Sequence, residues 1–91
     1  MAFPWPEVGT PLADVITPMP VIDEDRMARN IARAQTYMNS IGRAFRPHIK
    51  THKLASVAQM QIDHGAVGIN CQKVTEAEAF ADAGFADILI T

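Results

Sequence analysis

The apolar positions of this chain change their period several times, and each change marks an element. Between Glu24 and Ser40, Met27, Ile31, Ala34 and Met38 recur at steps of four, three and four, while Arg26, Arg29 and Arg33 lie off that line. One apolar stripe of this kind predicts an amphipathic helix running from Asp23 to about Ser40. Asp23 stands where an N-cap belongs, Glu24 and Asp25 add negative charge to the first turn, and Gly42 suits the stop. A second helix is expected from about Leu54 to His64, with Leu54, Val57, Ala58 and Ile62 on one face and Gly65 ending it. Thr75 followed three residues later by Glu78 has the form of a capping box, opening a third helix through Ala83 before Gly84.

Extended runs lie between these helices. Pro20-Val21-Ile22 is short, and Ala44 to Lys50 is longer but contains Pro47, which gives a strand ladder no N–H, so irregularity is expected there. Ala66 to Cys71 is continuously apolar up to a polar end, the pattern of a parallel strand buried on both faces. Asp87 to Thr91 is a further apolar strand. The strand ends at Lys50, Cys71 and Thr91 recur about every twenty residues, with short connections, which implies βαβ units on a parallel sheet. The fold class is α/β: a βαβαβ portion, preceded by an extended arm and a helix, of the kind that opens a (β/α)₈ TIM-type barrel. Three strands leave the barrel incomplete, since a closed one needs about 250 residues. The exposed strand at the end points the same way, to the front portion of a larger protein. The expected division is a Pro-rich extended arm over 1–19 and barrel sequence over 20–91.

Composition narrows the function classes. The 91 residues are 48% hydrophobic and 20% charged, with a net charge of −2. That balance lacks the basic field that recruits nucleic acid or anionic membrane. No run of about eighteen apolar residues suits a membrane span. The start has no basic, apolar leader and is interrupted by Pro4, Pro6 and Pro11. One cysteine, Cys71, allows no internal disulfide and suits a reducing compartment, so the cytoplasm is the expected location.

The candidate chemistry is concentrated in Arg46-Pro47-His48-Ile49-Lys50-Thr51-His52-Lys53, where three cations and two imidazoles fall within eight residues. This stretch sits at the carboxyl end of the first strand, where β/α folds place their chemistry. If the strand persists to His52, then His48, Lys50 and His52 share a face. Partial desolvation and the cationic neighbours Arg46 and Lys53 would both favour a neutral Lys50 amine, the form that attacks carbonyls. Other readings stand beside this one. The cations could form a solvated strand end, and His48 with His52 could ligate a metal, although no carboxylate or cysteine is near in sequence. His64, beside Gly65, fits a helix-end cation, and Cys71 fits either a buried small residue or a lining of the site.

These residues also carry a resemblance. Thr17-Pro18, Val21-Ile22-Asp23, Asn30-Ile31, the run from Arg46 to Lys53, Gly65 to Ile69 and Thr75 to Glu78 resemble the D-threonine aldolase and D-serine dehydratase group. That group belongs to the alanine-racemase-like, fold-type III pyridoxal-phosphate enzymes. The resemblance covers about Thr17 to Thr91, and the Pro-His-x-Lys-Thr-His-Lys string is its most specific part. It implies an eight-stranded barrel binding pyridoxal 5′-phosphate, followed by a mostly β domain. Lys50 then corresponds to the Schiff-base lysine and the base at the substrate Cα. His48, Thr51 and His52 match the motif as supporting cofactor-site residues, and Gln72, after the second strand, would line the pocket. The implied substrate is a D-β-hydroxy-amino acid, cleaved to glycine and an aldehyde or stripped of its β-hydroxyl. A divalent metal, its ligands outside this chain, and a homodimer complete the expectation. Without the phosphate-binding loops, this chain alone should be inactive. A non-catalytic carrier of the cofactor on a lone barrel is the alternative of another class.

Overall fold

Asp23 opens the first helix as its position suggests. Its side chain accepts the Arg26 backbone N–H at 3.0 Å, and α1 runs over Glu24–Ser40 with Glu24 and Asp25 in its first turn. A computed structural model describes residues 3–91. After α1 come α2 (Ala55–Asp63), β1 (Ile69–Cys71), α3 (Val74–Asp82) and β2 (Ile88–Ile90). All three helices stop in the same way. Gly42, Gly65 and Gly84 take φ values of 65°, 120° and 101°, and the residue after each glycine donates its N–H back into the last turn of the helix, as Arg43 does to Met38. A side chain resists that left-handed geometry, so glycine is selected at each stop.

β1 and β2 pair in parallel, Ile69 with Ile88 and Cys71 with Ile90, and α3 crosses between them. The stretch expected as the first strand, Ala44 to Lys50, lies along the other edge of β1 but forms only the isolated bridge His48–Asn70. Ile49 donates to Asn70 O at 3.0 Å and Asn70 to Pro47 O at 2.9 Å. Pro47 has no N–H with which to continue the ladder backward, so the strand is a correction: it shrinks to a bridge.

Side-chain alternation divides the sheet into two faces. Ile49, Ile69 and Cys71 are fully buried against Ala58, Ala77 and Phe80, with Ile62, Phe85 and Ile88 packed around them. Phe80 and Phe85 meet edge to face at 5.4 Å. His48, Asn70 and Leu89 lie in register on the opposite face, where Asn70 is half-buried and Leu89 exposed. The run from Ala66 to Cys71 is therefore covered on one face by the helices. It is not covered on both, as its composition suggested.

The arm is less uniform than its prolines imply. A turn closes from Thr10 to Glu7, a 3₁₀ turn spans Leu12–Asp14, and the Thr17–Pro18 peptide is cis. Phe3 and Trp5 meet with ring centroids 4.4 Å apart and planes tilted by 51°, while Trp5 shares a groove with Pro20, Val21, Ile22, Thr51, His52 and Leu54. Met1 and Ala2 of the expected arm lie outside the described residues.

The capping box is a second correction. Helix α3 starts two residues early, with Lys73 at the cap position and no side-chain cap, so Thr75 falls inside the helix. Glu76, not Glu78, reaches back, and it does so to the Gln72 N–H. The register follows the buried face: Ala77 and Phe80 must point into the core, and that fixes where the first turn begins. Asp23→Ala should then cost about 1 kcal/mol in chemical unfolding of the full-length protein, the usual value of a lost N-cap. Thr75→Ala should change stability by less than about 0.5 kcal/mol, as expected of a surface position without a cap bond. Equal losses in the two variants would restore the capping box.

Candidate active site at the Lys50 turn

After Ile49 the chain leaves the sheet in a turn over Lys50, Thr51 and His52, closed by Lys53 N–H donating to Ile49 O at 2.8 Å. Two histidines build this turn in the same way. The Lys50 N–H donates to His48 Nδ1 at 3.1 Å, and the Leu54 N–H donates to His52 Nδ1 at 2.9 Å. A backbone N–H can only donate, so each Nδ1 is the unprotonated nitrogen and each Nε2 carries the hydrogen. His52 Nε2 then donates to Gln61 Oε1 on α2 at 3.2 Å. Burial lowers the His52 pKa, opposed by the Gln61 bond, and the ring stays neutral near pH 7.

Lys50 itself is exposed, at the end of the edge segment and one residue beyond the buried Ile49. Thr51 is exposed on the groove shared with Trp5 and Leu54. Gln72 is exposed just after β1, with its backbone held by Glu76 at 2.7 Å. His48, Lys50 and Thr51 thus stand together, Gln72 follows the neighbouring strand, and His52 turns back toward α2.

Three expectations from the sequence change. The extended run does not reach His52, so His48, Lys50 and His52 do not share a strand face. Arg46 and Lys53 are not free cations beside Lys50. Arg46 Nη2 pairs with Asp87 Oδ1 at 2.8 Å, and its Nη1 donates to the Ile69 and Asp87 carbonyls at 3.2 Å each. That clamp holds the edge segment to β1 and to the residue before β2. Lys53 Nζ lies 3.3 Å from Glu76 Oε2. Lys50 is also not desolvated in this chain. Among the described residues no group of three or more histidine, cysteine, aspartate or glutamate side chains is placed to hold a metal. His48 and His52 each spend one ring nitrogen on the backbone.

Cys71 is buried in the core, and burial, then the Glu76 charge, raises its pKa, so the thiol stays protonated. His64 Nδ1 donates to Met60 O at 2.8 Å at the end of α2, the helix-end role its place suggested. Glu76, Asn70 and Thr91 were not singled out by sequence. Thr91 Oγ1 donates to Asn70 Oδ1 at 3.2 Å across the two strands. Alternation predicts Asn70 on the face of His48, a signal present in the sequence once the strand register is known.

An exposed primary amine, on a backbone fixed by His48 at a parallel strand end, is a donor suited to covalent attachment of an aldehyde cofactor. His48 Nε2 is buried with no hydrogen-bond partner among the described residues, so a further acceptor fits beside it. The profile of the alanine racemase N-terminal domain matches residues 22–91. The chain belongs to that family. Its members of this kind are fold-type III pyridoxal-phosphate enzymes, and the segment is part of their TIM-type barrel. The D-threo-3-hydroxyaspartate dehydratase of Delftia sp. (strain HT23) is 52% identical over 80% of this chain and 19% of its own length. A D-threonine aldolase of Arthrobacter sp. is 42% identical over the whole chain and 24% of its own length. The crystal structure of D-threonine aldolase from Filomicrobium marinum superposes with a TM-score of 0.80 at 43% identity, over 85% of this chain and 21% of that one. The chain thus spans about a fifth of the length of the relatives it matches. No described helix is long and apolar enough to cross a membrane.

Proposed function

We propose that this chain supplies the cofactor lysine, Lys50, of a pyridoxal-phosphate-dependent lyase acting on D-β-hydroxy-amino acids. The reaction is cleavage of Cα–Cβ to glycine and an aldehyde. The observation that carries this reading is the exposed Lys50 amine at the end of the segment paired with β1, on a turn whose backbone two histidines fix. When bound, pyridoxal 5′-phosphate withdraws electrons from the substrate Cα.

The chain's own residues hold the cofactor and move the proton. Lys50 Nζ would be the point of attachment for the cofactor and the group that takes or returns a proton at the substrate Cα. His48 keeps the Lys50 backbone in place through the N–H bond, which aims the amine. Thr51 stands next to Lys50 on the turn, Gln72 follows the neighbouring strand, and His52, a neutral ring tied to α2, supports the turn. The phosphate-binding groups, the partner of the pyridine nitrogen and the ligands of a divalent metal would lie in the remainder of the full-length protein, which would act as a homodimer. This chain alone is inactive on that account.

Removal of the β-hydroxyl, giving a keto acid and ammonia, is the second reading. It is favoured by the 52% identity to the Delftia dehydratase. Both reactions use Lys50 alike and differ in the bond broken at Cβ. Incubating the full-length protein with pyridoxal 5′-phosphate and D-threonine or D-threo-3-hydroxyaspartate distinguishes them, since the first yields glycine and the second ammonia. Borohydride reduction of the loaded protein, followed by peptide mapping, should place the cofactor on Lys50 and not on Lys53 or Lys73. An adduct elsewhere would remove the proposal, and an adduct on Lys50 with no turnover of either substrate would favour the carrier.

A further inference from the structure

Glu76 is the one acidic side chain buried among the described residues. A carboxylate tolerates burial only where hydrogen bonds and opposite charge replace water. Two groups do so in this chain. Oε1 accepts the Gln72 N–H at 2.7 Å, and Oε2 lies 3.3 Å from Lys53 Nζ. The Gln72 bond first, then Lys53, hold the Glu76 carboxyl below the usual carboxylate range against the opposing effect of burial. Glu76 is therefore an anion at neutral pH.

Those two groups come from two connections. Gln72 follows β1, whereas Lys53 closes the turn that carries Lys50. Lys53 has a φ of 53°, a left-handed conformation uncommon outside glycine, and its N–H closes the turn on Ile49 O. A strained residue of this kind persists where its surroundings hold it, and Glu76 is the charge that holds its side chain.

We propose that Glu76 is a positioning residue for the chemistry at Lys50: its carboxylate clamps the Lys53 end of the turn to the loop after β1 and so fixes where the Lys50 amine stands. This rests on the reading of Lys50 as the cofactor lysine. Glu76 acts through Lys53 and through the backbone of Gln72.

The test is made in the full-length holoenzyme. Glu76→Gln keeps the shape and an acceptor for the Gln72 N–H but loses the charge opposite Lys53. It should lower kcat about tenfold, the effect typical of a lost orienting partner, with KM and melting temperature little changed. It should also shift the pH at which the visible absorbance of the bound cofactor changes, and Glu76→Asp should restore part of both. Lys53→Met breaks the pair from its exposed side, and it should lower kcat in the same direction even if Glu76→Gln does not fold. Unchanged kcat and pH profile in the folded variants, whatever happens to melting, would overturn the clamp. Lys50→Ala, made in parallel, keeps the two ideas apart. If it still turns over, the reading of Lys50 falls. If it is inactive while Glu76→Gln matches the parent protein, only the clamp falls.

Discussion

Replacing Lys50 by alanine in the full-length protein should reduce turnover by about a thousandfold or more, because a positioned base and the point of covalent attachment are lost together. The magnitude follows from the two roles assigned to one amine. A general base alone contributes about 10²- to 10⁴-fold, and Lys50 also holds the cofactor. The melting temperature of the cofactor-free protein should hardly move, since Lys50 is exposed and its side chain takes part in no hydrogen bond or ion pair among the described residues. Exposed positions of this kind change stability by about 0.5 kcal/mol or less. Lys50→Arg should be nearly as inactive, because a guanidinium keeps the charge but offers no free amine. Steady-state assay of glycine and ammonia release, with a melting curve beside each assay, decides the matter. Turnover within tenfold of the parent protein would show that another residue does this work.

Why this much could be read from 91 residues, and no more, is visible in particular positions. Asp23, Gly42, Gly65 and Gly84 act through local backbone chemistry, and the structure finds each at the helix end its type suggested. The apolar runs of β1 and β2 were equally plain; Ile69 and Cys71 of β1 enter the core and Ile88 of β2 packs against it. Local pattern failed where a residue's role depends on a partner far away in the chain. Arg46 looked like part of a cationic cluster, but Asp87, 41 residues on, claims it. Lys53 looked free until α3 brought Glu76 to it. Thr75 and Glu78 have the spacing of a capping box, yet the packing of Ala77 and Phe80 sets the helix start two residues earlier.

The site shows the same division. That Lys50 matters was suggested by its place at a strand end, whereas how its backbone is held was not. The paired use of His48 Nδ1 and His52 Nδ1 by N–H groups two residues on is a turn geometry that alternation along a strand would not produce. Strand spacing put the two rings beside Lys50 as candidate chemistry. The structure makes them, in this chain, the supports of the turn, and His48 Nε2 is left without a hydrogen-bond partner among the described residues.

Gly68→Ala should be the most destabilising alanine substitution among the five glycines. Gly68 is buried just ahead of β1, and its backbone does not require glycine for conformational reasons. The constraint is space. A Cβ there would stand 2.5 Å from the Asp87 carbonyl oxygen, 2.5 Å from Arg46 Nη1 and 2.9 Å from the Asp87 Cγ. The carbonyl cannot retreat cheaply, since it accepts the Ile69 N–H at 3.0 Å and so begins the pairing of β1 with β2. The guanidinium is tied to Asp87 and to the Ile69 carbonyl. Overpacking of this severity costs about 3 kcal/mol, and the loss should appear as a lower midpoint in chemical unfolding of the full-length protein. Gly84→Ala supplies the contrast: it meets nothing within 4 Å but has a φ of 101°, so its cost is backbone strain of about 1 kcal/mol. The double variant Arg46→Ala with Gly68→Ala should recover only part of the loss, because the Asp87 carbonyl still stands in the way. Full recovery would locate the clash at the guanidinium alone. A Gly68→Ala protein as stable as its parent would mean that the approach of β2 to β1 is looser than 2.5 Å implies, and that the Arg46 clamp is not what sets the spacing at this end of the sheet.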